Sequence, residues 1–356
     1  MALFSSKPPS QSYLGIDLGL SGIKVVELMN EKGRARLVTY AFVDFPTSAQ
    51  GSAPLTEDID KTAALIKKMV AKSKTTSKKV VSALPIASVF SSIISVPAAN
   101  EKELKEAIQW QAKKLIPVPL EEITLDFKTI DSTDGEGGKK VTRVLITGAP
   151  KPLVNKYVEI FKKAGLELIS LETEAFAMIR SLVGKDRSSI MVVDIGSQRT
   201  NISVIERGVP FLNRSIATGG RAITETISKT LGIPFEQADS MKRDIRTMQS
   251  FAPTGDISPI LTTLLKPIID EVKYSFNLYQ GQTEGGQGKR IDKIILTGGS
   301  ALLPRLPEFM TQLMNVNAYL GDPWARVIYP QDLRPVLDEI GSRFTIALGC
   351  AMRDIE

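Results

Sequence analysis

Two short segments, far apart in the chain, carry the same pattern of an aspartate and a glycine after an apolar stretch. The first is Asp17-Leu18-Gly19 and the second is Asp194-Ile195-Gly196, about half of the 356-residue chain apart. A carboxylate at a strand end can hold hydrated magnesium, and the nearby glycine lets backbone N–H groups approach phosphate oxygens. The repetition predicts two similar halves that hold the phosphates and metal of a nucleotide from both sides.

Polar side chains follow each aspartate at distances that suit a phosphate site. Ser21 and Lys24 come after Asp17, and Thr200 lies six residues after Asp194. A lysine ammonium neutralises phosphate charge, and a hydroxyl donates a hydrogen bond to a phosphate oxygen. One Asp-Gly pair alone is more often an ordinary turn at a strand end. Two copies, each followed by a predicted hairpin, favour a phosphate site in which the two aspartates hold magnesium through water.

Two glycine pairs stand just before predicted helices. Gly298 and Gly299 precede Ser300 after an apolar strand, and Gly219 and Gly220 precede a helix that is predicted from residue 222. Because glycine has no side chain, these turns allow a flat ring or a ribose to approach the backbone closely. For each pair taken alone, a plain turn into a helix remains the alternative.

Three charged residues on predicted helices are further candidates for the same cleft. Asp239 and Lys242 lie three positions apart and share a helix face, where we expect them to hydrogen-bond a ribose and an adenine edge. A surface ion pair is the alternative for these two residues. Glu174 lies in the helix before the second half and is the candidate for positioning a water molecule, or else an ordinary acid in a first helical turn.

The composition excludes several kinds of site. The chain has no histidine and a single cysteine, Cys350, which excludes a Ser-His-Asp triad, an intrachain disulfide and a zinc site built from His or Cys. Carboxylate and water remain as metal ligands and suit magnesium. The net charge is +6, but the lysine-rich segment 72–79 carries no aromatic residues, so nucleic acid is not an expected partner. With no apparent signal peptide, we expect the cytoplasm as the compartment.

The order of predicted elements indicates an α/β protein of two similar halves, each opening with an Asp-Gly hairpin. Strands are predicted at 79–84, 89–96, 123–130, 143–148 and 291–296, and helices at 56–72, 100–116, 153–164, 222–231, 235–241 and 258–279, the last kinked at Pro267. Residues 281–289 are expected to form a mobile loop. The expected divisions are a flexible leader at 1–12, a first half at 13–185 with an inserted α+β subdomain at about 88–168, a second half at 186–340, and a terminal connecting helix at 341–356 that returns to the first half.

The order of the motifs resembles that of the actin-like ATPase superfamily. An Asp-Gly hairpin, a helix at Glu174, a second Asp-Gly hairpin, the Gly298-Gly299 turn and the small-residue helix Thr345–Ala351 follow one another. In that superfamily these are phosphate loop one, the first connecting helix, phosphate loop two, the adenosine loop and the second connecting helix. The resemblance implies an actin-like, duplicated ribonuclease H-like fold of two domains, with ATP and Mg²⁺ between them.

Several stretches are similar to one family of that superfamily, the PilM proteins of type IV pilus assembly. These stretches are Gly15–Gly19, Ile23–Leu28, Ala112–Glu122, Leu125–Phe127, Glu174 with Phe176-Ala177, Gly321–Trp324 and Ala347–Gly349. Ala112–Glu122 is the most specific because it contains Ile116-Pro117-Val118-Pro119, which generic actin-like proteins lack. Leu20 and Ala175 depart from the pattern, which often has a hydroxyl and a proline at these positions.

The resemblance implies an ATP- and magnesium-binding scaffold, peripheral at the inner face of the inner membrane, with slow or absent ATPase activity. Its implied partners are the N-terminal cytoplasmic peptide of PilN, held in a groove between the inserted subdomain and the first-half sheet, and the platform and motor proteins of the pilus. The alternatives are an FtsA-like filament-forming division protein and a small-molecule kinase of the same fold. The first is expected to continue into an amphipathic membrane helix, and the second to carry a further catalytic base.

Overall fold

Two large β-sheets with the same strand order form the centre of this protein. The structure is a computed structural model that describes residues 11–45, 53–97, 101–134, 140–243, 258–284 and 287–355. Within them the strands are β1 Ser12–Gly19, β2 Gly22–Glu31, β3 Arg34–Asp44, β4 Lys79–Leu84, β5 Phe90–Pro97, β6 Ile123–Asp134, β7 Lys140–Pro150, β8 Glu167–Thr173, β9 Ile190–Ile195, β10 Thr200–Glu206, β11 Val209–Ile216, β12 Thr283–Glu284, β13 Gln287–Gly288, β14 Lys293–Thr297, β15 Ala318–Leu320 and β16 Val327–Ile328.

Helices cover these sheets and connect the two halves. They are α1 Ile59–Lys72, α2 Glu101–Leu115, α3 Lys151–Lys163, α4 Glu174–Met178, α5 Gly220–Leu231, α6 Phe235–Arg243, α7 Ser258–Gln280, α8 Leu306–Met314, α9 Arg334–Ile340 and α10 Thr345–Ala351. Helix α4 continues into a π-helical turn, Ile179–Val183. Because most of these helices have one apolar face, they stabilise the fold by burying that face on a sheet.

The first sheet has the order β16-β3-β2-β1-β4-β8. Strands β1 and β2 are antiparallel, whereas β1 pairs in parallel with β4, and β4 with β8. Strand β1 is apolar on both faces because helices cover both: Leu14 and Ile16 pack into the core with α1 and α3, and Tyr13 packs towards α10.

The second sheet repeats this arrangement with the order β11-β10-β9-β14-β15. Strand β9 is antiparallel to β10 and parallel to β14, which in turn is parallel to β15. Apart from the edge strand β16, the two sheets therefore share both strand order and strand direction. The predicted duplication is confirmed, and it explains why the two Asp-Gly segments end equivalent strands, β1 and β9.

Helix α10 packs between the two halves, and small residues make this possible. All of its residues are buried. A side chain on Gly15 of β1 would overlap the carbonyl oxygen of Ala347, and one on Gly349 would overlap that of Ala177 in α4. The backbones of β1, α10 and α4 therefore touch directly, as the small-residue pattern of this helix allows.

The insertion into the first half is a three-stranded sheet, β5-β7-β6, covered by α2. We refer to β5, α2, β6 and β7 as the insert, and to the turn Ile86–Ser88 that leads into it as the root of the insert. The insert has its own core, which includes Ile108, Ala112 and Ile146. Helix α3, which lies within the expected span 88–168, packs with α1 on the first sheet. The predicted limits of this subdomain remain a prediction.

Several predicted elements are confirmed at or near their expected bounds. Strand β4 and helix α10 coincide with the predictions, and α2 ends before Pro117. Helix α7 is continuous through Pro267, and its kink there stays a prediction. The expected leader falls mostly on residues 1–10, outside the described part, and Ser12 already belongs to β1. Strands β12 and β13 pair within the expected loop 281–289, whose mobility stays a prediction. Among the described residues, no helix has the length and apolarity to span a membrane.

Candidate functional site

A cavity of about 870 Å³ lies where the Asp-Gly loops of the two halves face each other. We call residues 17–22 the first loop and residues 194–200 the second loop. Most of the expected site residues line this cavity. They are Asp17, Gly19, Ser21, Lys24, Glu174, Asp194, Gly196, Gly220, Asp239, Lys242, Gly298, Gly299 and Ser300. The structure therefore brings together residues that the sequence spreads over most of the chain.

Two expected residues, Thr200 and Gly219, do not line the cavity. The Thr200 side chain is buried, and its Oγ1 donates a hydrogen bond to the Thr218 carbonyl at 2.8 Å. A Cβ on Gly219 would lie 2.6 Å from the carbonyl oxygen of Gly196. Thr200 therefore joins the end of the second loop to Thr218, and Gly219 lets the chain pass close behind that loop.

Lys24 lies directly opposite Asp17 in the β1–β2 ladder. The lysine is buried, and its Nζ donates a hydrogen bond to the Gly22 carbonyl at 3.4 Å. Burial raises the pKa of the Asp17 carboxyl, and the nearby Lys24 ammonium opposes that rise. The paired strands β1 and β2 thus present a carboxylate and a cation side by side, which suits an anionic ligand with a bound metal.

Asn201 lies opposite Asp194 in the β9–β10 ladder. Its Nδ2 donates to Asp194 Oδ2 at 3.4 Å and to Glu174 Oε2 at 3.1 Å. The sequence analysis missed this residue, although Asn201 follows Asp194 by the same seven positions that separate Lys24 from Asp17. The equal spacing after each aspartate was the signal that could have identified it.

Glu174 begins α4 and lies between the two loops. Its Oε2 also accepts a hydrogen bond from the backbone N–H of Ile86 at 3.0 Å. Burial raises the pKa of Glu174 to about 8, the hydrogen bond from Ile86 opposes the rise, and the charges of Asp194 and Asp17 add to it. Its expected role in positioning water stays a prediction.

Three carboxyl groups therefore converge on one side of the cavity. Burial raises the pKa of Asp194 to about 6, and the charge of Asp17 adds to this effect. The mutual repulsion favours a cation beside Asp17 and Asp194. Within the described part of the chain, no group of three or more acidic, His or Cys side chains is arranged to hold a metal directly. A hydrated Mg²⁺ that keeps most of its water and phosphate ligands fits this donor set.

The glycine turns allow the backbone to close around the cavity. Gly298 has φ +89°, and a Cβ there would lie 2.5 Å from Asp194 Oδ1. A side chain on Gly220 would overlap Ser300 Oγ. Glycine is required at position 298, and a side chain at position 220 would displace the Ser300 hydroxyl, so the second loop, the start of α5 and the Gly298 turn form a close-packed cradle. The volume of the cavity, the glycines that line it and the carboxylates of Asp17 and Asp194 fit a nucleoside phosphate.

Asp239 and Lys242 form an ion pair beside this cradle, with Nζ and Oδ1 2.8 Å apart. Lys242 also donates to the Gly220 carbonyl at 2.9 Å and to Thr224 Oγ1 at 2.6 Å. The pair thereby fixes α6 against the start of α5. Its expected contacts with a ribose and an adenine edge remain a prediction.

The Gly298 turn is also tied to the segment that leads into α10. The backbone N–H of Gly298 donates to the Ser342 carbonyl at 3.0 Å, and Thr297 Oγ1 donates to the same oxygen at 3.1 Å. Helix α10 packs between the two halves. These hydrogen bonds therefore connect the cradle of the second half to the helix that lies between the halves.

Comparison with known proteins agrees with this architecture. A family model described as type IV pilus assembly protein PilM matches residues 15–355. The solved structure of a PilM–PilN type IV pilus biogenesis complex contains a chain that is 25% identical, with a TM-score of 0.80, over 98% of this chain and 100% of that one.

Two further proteins are similar to this chain. The ethanolamine utilization protein EutJ of Salmonella typhimurium is 25% identical over 199 residues, 54% of this chain and 64% of that protein, so the match spans less than two thirds of its length. MreB5 of Spiroplasma citri, solved with bound AMPPNP, is 14% identical with a TM-score of 0.51 over 96% of this chain and 95% of that one. These likenesses confirm the predicted actin-like α/β fold.

Proposed function

The chain belongs to the PilM family of type IV pilus assembly proteins, and on that premise we propose that it is an ATP-binding scaffold of the pilus assembly platform. It acts at the inner face of the inner membrane and recruits the platform and motor proteins of the pilus. The match to the solved PilM–PilN complex carries this proposal. One chain of that complex is similar to this chain over nearly the whole length of both.

The partner is the N-terminal peptide of PilN, which binds between the insert and the first sheet. The cavity supports this position because it extends along apolar side chains of the first half, including Leu18, Phe45, Leu55 and Leu153, to Ala87 in the root of the insert. A groove of this kind suits a short apolar peptide, since its side chains would be removed from water on binding.

ATP and Mg²⁺ occupy the part of the cavity that the two loops enclose. Asp17 and Asp194 hold the hydrated metal, Lys24 neutralises phosphate charge, and the Gly298 turn lies against the adenosine. The bound nucleotide joins the two halves and stabilises a closed arrangement. In this proposal hydrolysis is slow or absent, as suits a nucleotide that serves to hold the two halves together.

Capture of PilN from detergent-solubilised membranes tests this function. The immobilised full chain is expected to retain PilN that carries its N-terminal peptide and to lose PilN from which that peptide has been deleted. Equal recovery of both forms, or of neither, would contradict the proposal. A phosphotransfer assay with ATP and a panel of sugars gives a second test, because rapid turnover would point to a kinase instead of a scaffold.

A further inference from the structure

One side chain, Asn201, connects two carboxylates that belong to different parts of the fold. Asp194 ends β9 in the second loop, whereas Glu174 begins α4 between the halves. The Nδ2 atom of Asn201 lies within hydrogen-bond distance of both. Since Asn201 is buried, water does not readily replace these bonds, and a movement of either carboxylate acts on the other.

The amide of Asn201 is fixed in this orientation by its neighbours on β10 and β11. Its Oδ1 accepts a hydrogen bond from Ser215 Oγ at 2.7 Å, and that hydroxyl accepts one from Arg199 Nε at 3.0 Å. Because the Ser215 proton is used on the amide oxygen, the amide nitrogen must face the carboxylates. Arg199 itself belongs to the second loop, so both ends of this network reach the cleft.

Glu174 carries the connection onward to the root of the insert. Its Oε2 accepts both the Asn201 amide and the backbone N–H of Ile86, and Ile86 is the first residue of the root. Strand β11, which bears Ser215, packs against the root and against β5. The Lys128 ammonium of the insert also lies 5.4 Å from the centre of the Phe176 ring in α4. A continuous chain of contacts thus runs from Asp194 to the insert.

We propose that Asn201 and Glu174 are positioning residues that connect the second loop to the root of the insert, so that a nucleotide beside Asp194 strengthens the anchoring of Ile86. This inference rests on the proposed function, because it requires a nucleotide in the cleft. A cation that accompanies the nucleotide would hold the Asp194 carboxylate in one position, and the Asn201 amide that Asp194 shares with Glu174 would restrain Glu174 in turn. Glu174 can then bind the Ile86 amide and Asn201 more closely, which holds the insert in one orientation relative to the first sheet.

Backbone hydrogen exchange of the full chain, read on fragments that span Leu84–Phe90, tests this connection with Mg²⁺ and AMPPNP as the probe. In the wild type, exchange at Ile86 is expected to slow about fivefold or more when the cleft is saturated. The Asn201→Ala variant keeps the bond between Glu174 and Ile86, so its exchange without nucleotide should match the wild type. With nucleotide bound, exchange at Ile86 in this variant should slow by less than about twofold.

Asn213→Ala is the matched control. It removes a cross-strand hydrogen bond between the same two strands, from Ser203 Oγ to Asn213 Oδ1, but touches neither carboxylate, and it should respond like the wild type. If Asn201→Ala folds poorly, Ser215→Ala frees the same amide with less disturbance. It should reduce the nucleotide-induced slowing of exchange at Ile86 by at least about half.

An unchanged response in the Asn201 and Ser215 variants, or an equal loss in Asn213→Ala, would overturn the connection. Calorimetry on the same samples separates this result from a failure of the proposed function. Nucleotide binding without any change at Ile86 contradicts the connection alone. An absence of nucleotide binding in the wild type contradicts both.

Discussion

Lys24 and Asn201 occupy equivalent positions in the two halves, each directly opposite the aspartate that precedes it by seven residues. The fold duplicates the position but not the chemistry. Lys24 places a positive charge beside Asp17, whereas Asn201 places a neutral amide between Asp194 and Glu174. At this position the first half therefore supplies a positive charge, and the second half supplies a hydrogen-bonded connection between two carboxyl groups.

Replacement of Lys24 should weaken nucleotide binding through loss of this charge. We expect Lys24→Met to lower the affinity for Mg²⁺-ATP about tenfold or more, since a charge-assisted contact with phosphate is lost. Calorimetry measures the affinity, and Lys68→Met, at an exposed position on α1, is the matched control. Similar affinities in both variants would show that Lys24 does not face the phosphates.

The two aspartates should matter through the metal. Asp17→Asn and Asp194→Asn are each expected to weaken binding of Mg²⁺-ATP about tenfold or more, because each carboxylate orients water ligands of the ion. With EDTA present, ATP should bind these variants as well as it binds the wild type or better, because a charge that repels phosphate has been removed. A loss of affinity that is the same with and without Mg²⁺ would contradict this role.

Adjacent glycines offer a test of the cradle. Gly298→Ala forces an unfavourable φ and brings a methyl group against Asp194, so nucleotide affinity should fall about tenfold or more. Gly299 has an ordinary φ, and the nearest atom to an added Cβ is Arg343 Cγ at 3.8 Å. Gly299→Ala should therefore stay within about twofold of the wild type. Equal effects of the two substitutions would place the nucleotide elsewhere.

Glu174 should make the stability of the nucleotide-free protein depend on pH. Because burial raises its pKa from 4.5 to about 8, the folded state binds more protons than the unfolded state between these values. Its contribution to the free energy of unfolding is thus greatest below about pH 4.5 and is lost as the pH rises to about 8.

Glu174→Gln removes this titration while keeping an oxygen that accepts hydrogen bonds from Ile86 and Asn201. Chemical denaturation at pH 5 and pH 8 measures the free energy of unfolding of both proteins. From pH 5 to pH 8 that of the variant should rise relative to that of the wild type by on the order of 2 kcal/mol. A difference between the two proteins that stays constant with pH would mean that Glu174 titrates normally.

The sequence predicted the duplicated halves because an aspartate and a glycine at a strand end leave a recognisable pattern. It was less successful where strand register decides the outcome. Thr200 is adjacent to Asn201, but neighbouring residues of a strand point to opposite faces. The Thr200 hydroxyl therefore binds the Thr218 carbonyl behind the loop, whereas Asn201 faces the carboxylates.

Packing partners were also hidden from the sequence. The apolar face of α3 predicts a buried helix, but it does not indicate which sheet the helix covers. In the structure Tyr157, Ile160 and Phe161 pack into the core that α1 and the first sheet form, which Ala149 at the end of β7 also joins. Likewise, no local pattern predicts that Glu174 meets the amide of Ile86, which is 88 positions away.

The most direct test of the scaffold function is calorimetric titration of the full chain with a synthetic peptide of the N-terminal residues of PilN from the same organism. With Mg²⁺ and ATP present, the account predicts saturable binding of one peptide per chain with micromolar affinity, and no binding of a peptide of the same composition in scrambled order. Absence of binding, or equal binding of both peptides, would contradict the central claim.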